Sequence, residues 1–228
     1  EISCSLVGSE MCIRDSYETI PKFHDTVKRF HDFKDALRKD VKNRARLCRE
    51  EIEFVLARED DCGVLMKQLE EGILPLRVTH NDTKLNNILF DRNTGEGLCI
   101  IDLDTIMPGL AANDFGDSIR FGASTAEEDE KDLNKVHFDI ELYRIYVKGY
   151  LEMAKDVLTP AENASLPWGA RLMTLECGMR FLADFLQGDV YFKTTYPEHN
   201  LVRARTQFRL VKEMEEQFDQ MQEIVETF

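Results

Sequence analysis

The sequence predicts an α+β fold that is mainly helical, with a small β-hairpin inserted between the helices. Most of the chain has apolar residues at three- and four-residue spacing, whereas short apolar runs beside turn-forming residues occur between residues 76 and 102. Hydrophobic residues make up 43% and charged residues 32% of the 228 residues, as in a globular chain with a sizeable core. No internal repeat or linker interrupts residues 17–228, which we expect to form one domain.

Helices are predicted over most of the sequence by the spacing of apolar residues. From residue 21 to about residue 58 an apolar stripe continues in two sets, Phe30, Phe33, Leu37 and Val41, then Leu47, Ile52, Val55 and Leu56. A short helix is expected at 64–71, and longer helices at 138–155, 168–187 and 199–228. Thr159, Pro160 and Glu162 have the pattern of a helix start, and Gly188 has that of a helix end.

Short strands enclose a polar stretch. The apolar runs "LRVTH" (76–80) and "NILFD" (87–91) lie on either side of "NDTKLN", and "LCIID" (98–102) follows "RNTGEG". Asparagine and glycine in "RNTGEG" favour the turn of a hairpin. We therefore expect the polar stretch to be held between strand ends, with the hairpin insert carrying the active site.

The polar stretch and the end of the next strand contain the side chains that phosphoryl transfer from ATP requires. Such a transfer needs a carboxylate that orients the attacking hydroxyl and accepts its proton, oxygen ligands for Mg²⁺, and a cation near the transferring phosphate. Asp82 suits the first role and Lys84 the third. Asn87, through its amide oxygen, and Asp102 suit the second. The pattern predicts a magnesium-phosphate site.

Charge and hydropathy argue against two classes of partner. The net charge is −14 and the chain has no dense Lys/Arg block, so a nucleic acid polymer or an anionic membrane surface would be repelled. No apolar run approaches the ~20 residues that a membrane-spanning helix needs, and no leader pattern is recognised, which favours a cytoplasmic location. The six cysteines lack paired spacing, which favours reduced core thiols over disulfides or a zinc site.

The sequence around the polar stretch resembles a known family. "THNDTKLNNILFD" (79–91) and "GEGLCIIDLDTIMPG" (95–109), together with "FHDTVKRF" (23–30), are similar to the aminoglycoside/choline phosphotransferase superfamily, and most of all to N-acetylhexosamine 1-kinases. The resemblance covers residues 17–228 and implies the C-terminal catalytic lobe of a protein-kinase-like fold. It also implies a small-molecule kinase that uses ATP and Mg²⁺ and phosphorylates the anomeric hydroxyl of an amino sugar.

The resemblance also implies roles for single residues. It makes Asp82 the catalytic base, places Lys84 beside the transferring phosphate, and makes Asn87 and Asp102 the magnesium ligands at the nucleotide. Three further residues are expected to support this loop: His80, Asp104 and Asp117. For Asp104 the alternative is an aspartate that only stabilises a turn.

Two departures from the eukaryotic protein kinases indicate a small-molecule substrate. Asn81 stands where those kinases have an arginine, and Leu103 and Asp104 stand where they have Phe-Gly. Regulation by phosphorylation of an activation loop is therefore not expected. His24 and His31 have no partner at a metal-ligand spacing and are interpreted as ordinary residues.

Arg180 and Tyr191 are the candidates for binding the acceptor, because a sugar pocket needs hydrogen-bonding groups beside an aromatic face. Arg180 recurs with Glu176 and Asp184 at four-residue spacing on a helix that is otherwise apolar. The alternative interpretation is a salt-bridge ladder on a solvated helix face.

Residues 1–16 share no periodicity with the rest and resemble translated sequencing-adapter sequence, so we expect an artefactual or disordered tail there. No glycine-rich loop or strand lysine precedes residue 17, so we expect the N-terminal nucleotide-binding lobe to be missing and this chain to turn over little alone. Two alternatives stay open. One is a noncatalytic kinase-like binding module, and the other is a kinase for another sugar, choline or an amino alcohol.

Overall fold

The computed structural model describes residues 17–154 and 156–228. Its helices are α1 (Thr26–Lys39), α2 (Arg49–Leu56), α3 (Val64–Glu70), α4 (Ala111–Gly122), α5 (Ile140–Ala154), α6 (Pro160–Gln187), α7 (His199–Glu216) and α8 (Phe218–Thr227). Its strands are β1 (Arg77–Thr79), β2 (Ile88–Phe90), β3 (Gly97–Ile100) and β4 (Met107–Gly109). The predicted tail at 1–16 and Lys155, the last residue of the predicted helix 138–155, lie outside the described residues.

Helix α1 begins where the sequence supplies an N-cap. The Asp25 side chain accepts a hydrogen bond from the backbone N–H of Lys28 at 2.9 Å, which satisfies one of the free N–H groups of the first turn. The helix ends at Asp40, whose φ of 32° leaves the helical region. The predicted stripe therefore does not continue as one helix, and Val41 and Leu47 are exposed.

Helix α6 is the central helix and packs against α1, α4 and α7. The Thr159 hydroxyl accepts from the N–H of Glu162 at 3.2 Å, and the Glu162 carboxylate accepts from the N–H of Thr159 at 2.7 Å. The helix runs to Gly188, whose φ is 101°. The predicted start at residue 168 is wrong because this cap begins the helix at Pro160 and Pro167 is accommodated inside it.

Helix α4 is not predicted by the sequence, since its asparagine, aspartates and glycines have low helix propensity. Packing makes up for this. A Cβ atom on Gly116 would lie 2.2 Å from the carbonyl oxygen of Gly169 in α6, so the two backbones meet where both residues are glycine. Phe115 and Ile119 fill the core on the same helix. Tertiary contacts therefore override local preference here.

Two clusters of buried side chains meet at α6 and α7. One packs α1, α2 and α3 against these helices through residues such as Phe33 and Phe185, and the other packs α4, α5 and α8 against them through residues such as Phe115 and Tyr143. The helix predicted at 199–228 is present as two helices, because the backbone leaves the helical conformation at Gln217 between α7 and α8.

The described cysteines are all free. Cys48 and Cys62 are buried, as expected for core thiols, whereas Cys99 is exposed on β3 and that part of the prediction is wrong. Within the described residues no helix is both long enough and apolar enough to cross a membrane.

The strands form two separate antiparallel ladders. Strand β2 pairs with β3, with Ile88 opposite Ile100, which confirms the predicted hairpin. Strand β1 pairs with β4, with Thr79 opposite Met107, and the sequence does not predict β4. Because the end of β1 is paired with the start of β4, the two ends of the connecting residues 80–106 lie side by side, next to α4.

Candidate active site

Residues 80–87, which follow β1 and which we call the 80–87 segment, are hydrogen-bonded to helix α4. The backbone N–H of His80 donates to Asp114 Oδ2 at 2.8 Å, and the N–H of Asn81 donates to Oδ1 at 2.7 Å. Burial raises the pKa of Asp114 to about 6 and the two N–H bonds oppose this shift, so the carboxylate is largely ionised at neutral pH. The Ser118 hydroxyl adds a bond to the carbonyl oxygen of Thr83 at 3.1 Å.

Asn81 turns the chain toward Asp82. Its φ is 64°, in the left-handed region, which asparagine adopts more readily than most residues. Its side-chain amide donates to the carbonyl oxygens of Thr79 at 3.1 Å and Thr105 at 3.0 Å. A Cβ atom on Gly109 would lie 2.9 Å from Asn81 Oδ1 and 2.3 Å from Thr79 Oγ1, so β4 can approach this turn only because residue 109 is glycine.

His80 joins the 80–87 segment to the end of the hairpin. It is fully buried, its Nδ1 accepts from the N–H of Asp82 at 3.3 Å, and its Nε2 lies 3.0 Å from the carbonyl oxygen of Ile101. The Thr105 hydroxyl donates to the His80 carbonyl oxygen at 2.7 Å. The predicted supporting residue therefore lies between Asp82 and the residue preceding Asp102.

Asp82, Lys84 and Asn87 are brought together as predicted. Asp82 Oδ2 accepts from Lys84 Nζ at 2.8 Å and from Asn87 Nδ2 at 2.8 Å, and the same Asn87 nitrogen donates to the Asp82 carbonyl oxygen at 2.8 Å. No described residue donates to Asp82 Oδ1 or to Asn87 Oδ1. These two oxygens are available to a hydroxyl and to a cation, respectively.

Asp102 lies beside Asn87 through the hairpin ladder, because the N–H of Ile101 donates to the Asn87 carbonyl oxygen at 2.9 Å. Its φ is 64° and its side chain is exposed and bonded to no described residue. Asn87 and Asp102 supply hard oxygen atoms, which fits Mg²⁺, an ion that usually takes one or two protein oxygens and completes its shell with phosphates and water. The described residues hold no cluster of three or more His, Cys, Asp or Glu side chains that could bind a metal ion.

Asp117, one of the residues predicted to support the loop, differs from expectation. Asp117 is paired with Arg120 at 3.0 Å and does not bond the 80–87 segment, whereas Asp114, one helical turn earlier, makes the predicted bonds. The two aspartates lie three residues apart on α4, and the sequence does not show which one faces the segment. Asp104 lies in the exposed turn Leu103–Thr105 and bonds to no described residue, so its supporting role stays a prediction.

A cavity of about 830 Å³ opens beside Asp82. Its walls come from the 80–87 segment, from the hairpin and from helices α4 and α5, with Lys84, Asn87, Phe90 and Tyr146 among its lining residues. An aromatic wall facing a carboxylate, an amide and an ammonium is the usual composition of a small-molecule site. Neither Arg180 nor Tyr191 lines it.

Arg180 and Tyr191 belong to a separate group, which we call the arginine-aromatic cluster and which consists of Phe23, Arg180, Tyr191 and Phe192. The Arg180 guanidinium lies 5.4 Å from the ring centre of Phe23, 5.9 Å from that of Tyr191 and 5.6 Å from that of Phe192. Tyr191 is 70% exposed. The two predicted acceptor residues are therefore in contact with each other on the surface.

The alternative of a salt-bridge ladder on a solvated face is wrong, because Glu176 and Asp184 are 1% and 3% exposed. Asp184 instead accepts from the backbone N–H groups of Val190, Tyr191 and Phe192 at 2.9 to 3.0 Å. This bonding fixes the segment after α6 and so places the Tyr191 ring near Arg180.

Comparison with known proteins identifies the family. Residues 10–154 match the model of the phosphotransferase enzyme family known as APH, which is more than half of the chain. The chain belongs to this family. The chain is also similar in fold to the crystal structure of choline kinase from Cryptosporidium parvum Iowa II, with a TM-score of 0.56 and 15% sequence identity. That match covers 99% of this chain and 66% of the choline kinase chain, and it confirms the predicted fold class, the helical C-terminal lobe of a protein-kinase-like fold.

Sequence reasoning missed two side chains that support the 80–87 segment. No signal in the sequence identifies Asp114, because it lies on helix α4, which the sequence does not predict. His24, interpreted from the sequence as ordinary, lies 2.9 Å from the carbonyl oxygen of Asn81 through its Nε2. The signal that could have found His24 is its place in "FHDTVKRF", a segment that carries part of the family resemblance.

Proposed function

We propose that the protein is a small-molecule kinase that transfers the γ-phosphoryl group of ATP to a hydroxyl group of its acceptor. The observation that carries this proposal is the joint contact of Lys84 Nζ and Asn87 Nδ2 with Asp82 Oδ2, each at 2.8 Å, at the edge of a cavity of about 830 Å³. A base, a cation and an amide oxygen held together at a cavity wall is the arrangement that phosphoryl transfer uses.

Asp82 is the base in this proposal. Its Oδ1, to which no described residue donates, accepts a hydrogen bond from the acceptor hydroxyl and then its proton. The hydroxyl oxygen forms a bond to the γ-phosphorus as the bond from that phosphorus to the β–γ bridging oxygen breaks, and ADP leaves with the bonding electron pair. Lys84 places its ammonium where charge collects on the transferring phosphoryl oxygens.

Asn87 Oδ1 and the Asp102 carboxylate would hold Mg²⁺ together with the nucleotide phosphates. When bound, the ion would neutralise phosphate charge and orient the group that is transferred. Asp102 is exposed, and Asn87 lines the cavity with its nitrogen directed at Asp82, so neither oxygen donor is occupied by a described residue. ATP and Mg²⁺ are therefore the proposed co-substrate and cofactor.

For the acceptor we propose an amino sugar, an N-acetylhexosamine phosphorylated at its anomeric hydroxyl. The support is the sequence resemblance and the arginine-aromatic cluster, in which a guanidinium can donate to an acetamide or hydroxyl oxygen beside aromatic faces that suit a sugar ring. Burial and then the positive charge of Arg180 lower the pKa of Arg29, so a second guanidinium lies close by. Two nearby arginines oppose the binding of a cation such as choline or a protonated amino alcohol at this place.

The test is ³¹P nuclear magnetic resonance of the full-length gene product with Mg-ATP and a panel of N-acetylhexosamines, other sugars, choline and amino alcohols. We expect a sugar 1-phosphate signal with the parent protein and none with Asp82→Asn. The matched control is Asp219→Asn, on the exposed first turn of α8 and outside the lining of the cavity beside Asp82, which should give the parent signal. Transfer by Asp82→Asn at the parent rate would overturn Asp82 as the base, whereas no transfer to any acceptor would favour the noncatalytic binding module instead.

A further inference from the structure

His24 lies buried just before α1 and links two parts of the fold that are far apart in sequence. Its Nε2 is 2.9 Å from the carbonyl oxygen of Asn81, and its Nδ1 is 2.9 Å from Glu176 Oε1 on α6. Its side chain is 7% exposed, and Glu176 is 1% exposed. The chemistry proposed above gives neither residue a task.

The partners of the ring fix its protonation state. Both partners are acceptors, a carbonyl oxygen and a carboxylate, whereas a neutral imidazole has only one N–H to donate. The ring therefore carries both protons. In agreement, burial opposes the charge, but Glu176 and the Asn81 carbonyl outweigh it and raise the pKa of His24, while the pKa of Glu176 is lowered against its own burial by His24.

Glu176 is a firm anchor for this ring. It lies on α6, which packs against α1, α4 and α7, and its second oxygen accepts from the Thr26 hydroxyl at 3.4 Å. Arg29 Nε lies 3.9 Å from the oxygen that faces His24. A charged ring bonded to a buried carboxylate on the central helix has little freedom to move.

The group that His24 bonds is the peptide unit between Asn81 and Asp82. Its carbonyl oxygen is held by His24, and its N–H is held by Nδ1 of His80 at 3.3 Å. The preceding φ of 64° at Asn81 is one that most residues avoid, so this peptide needs external bonds to keep its orientation. The orientation of the peptide sets the direction in which the Asp82 side chain leaves the backbone.

We propose that His24 is a positioning residue for the phosphoryl transfer: anchored on Glu176, it holds the Asn81–Asp82 peptide and so keeps the Asp82 carboxylate aimed at the acceptor hydroxyl. This inference rests on the proposed function. It does not make His24 a catalytic residue, because the ring touches the loop backbone and not the reacting atoms.

Two conservative variants separate the two bonds of the ring. In His24→Gln the amide nitrogen can take the place of Nε2 and keep the bond to Asn81, while the contact with Glu176 is lost. In His24→Asn the shorter amide can take the place of Nδ1 and keep the bond to Glu176, while the bond to Asn81 is lost. Activity and stability should then rank the two variants in opposite orders.

The experiment measures kcat, the acceptor KM and the thermal midpoint of unfolding for the full-length gene product and both variants. We expect His24→Asn to lower kcat about 100-fold with KM little changed, as for a misplaced base, and His24→Gln to stay within about threefold of the parent. The midpoint should fall further in His24→Gln, because Glu176 then stays buried without its charged partner. A kcat that follows the thermal midpoint across the two variants would overturn the positioning role, as would parent-like kcat in His24→Asn.

Nitrogen-15 resonance of the histidine rings supplies a readout that needs no turnover. We expect both His24 nitrogens to be protonated at pH 7, and a neutral tautomer there would overturn the inference. A parent protein that phosphorylates no acceptor overturns the proposed function, and this inference falls with it. An active parent with unchanged kcat in His24→Asn overturns the inference alone.

Discussion

The 80–87 segment and the arginine-aromatic cluster are built in opposite ways. The segment is bonded through its backbone to buried side chains from α4 and from the chain before α1, and its own His80 and Asn87 are 0% and 5% exposed. The cluster is held by contacts between a guanidinium and three rings at 5.4 to 5.9 Å, and Tyr191 is 70% exposed. A rigid loop suits a reaction in which small displacements of the reacting groups lower the rate, whereas the side chains of an exposed cluster can adjust to the bound molecule.

Asp114→Asn is expected to have the largest effect on this contrast. An amide has only one acceptor oxygen, so one N–H of the 80–87 segment would face an NH₂ group, and kcat should fall about 100-fold. The comparison variant is Asp117→Asn, which removes the negative charge that pairs with Arg120 and leaves the segment bonds intact. Its stability should fall while kcat stays within about fivefold of the parent. Equal kcat in the two variants would contradict the assignment of Asp114 as the supporting aspartate.

Gly109→Ala should displace the 80–87 segment without removing any of its polar atoms. The added methyl group would lie 2.3 Å from Thr79 Oγ1 and 2.9 Å from Asn81 Oδ1, and such overpacking costs about 1 to 3 kcal/mol of unfolding free energy. Gly63→Ala, where no atom lies within 4 Å of the new carbon, is the matched control and should stay within about 0.5 kcal/mol of the parent. Denaturant unfolding of both variants checks this, and equal losses would show that the approach of β4 is not the cause.

These predictions depend on residues of which the sequence reveals only part. The spacing of Asp82, Lys84 and Asn87 within six residues predicts the reacting end of the proposed site, because one short loop carries all three. Asp114 and His24 reach that loop from 33 and 57 residues away in sequence, through contacts that no local pattern encodes.

The fold shows the same limit. Amphipathic helices such as α1 could be read from spacing, whereas α4 depends on the contact of Gly116 with Gly169, and β4 contains Pro108. Both elements take their structure from partners elsewhere in the chain, and both border the site. Prediction from the sequence therefore fails mainly for the elements that border the site, α4 and β4.

Arg180→Gln tests the other side of the comparison. Loss of the guanidinium should raise the acceptor KM about 10-fold, because a charge-assisted donor is removed, with kcat and the thermal midpoint nearly unchanged. Arg38→Gln, an exposed arginine of α1 paired with Asp35, is the control and should leave KM unaltered. Tyr191→Phe keeps the ring and should change KM by about threefold or less. A fall in kcat instead of a rise in KM would place Arg180 in the chemical step.

The His24 and Glu176 pair predicts a pH dependence of stability. The folded pKa of His24 is raised above its ordinary value of 6.5, so its contribution is full below pH 6.5 and is lost as pH rises through the folded pKa. The pKa of Glu176 is lowered below 4.5, so its contribution is full above pH 4.5 and is lost as pH falls through the folded pKa. The pair should therefore stabilise most between these two values. The other charged groups facing it are Arg29, Arg180 and Asp117.

Thermal midpoints of the parent and Glu176→Gln across this range and up to about pH 9 check the prediction. The difference in thermal midpoint between the two proteins should be greatest near pH 6 and should shrink as the solution becomes more basic. The corresponding change in unfolding free energy is about 1 kcal/mol or less. A difference that does not change with pH would contradict a charged His24.

The most direct test of the account is the rate of a single turnover. The full-length gene product is loaded with Mg-ATP, mixed with saturating acceptor and quenched after milliseconds to minutes, alongside Asp82→Asn. If the 80–87 segment performs the transfer with Asp82 as base, the parent forms phosphorylated acceptor in one phase and the variant forms it about 1000-fold more slowly with the same bound ATP. Equal rates in the two proteins would contradict the account.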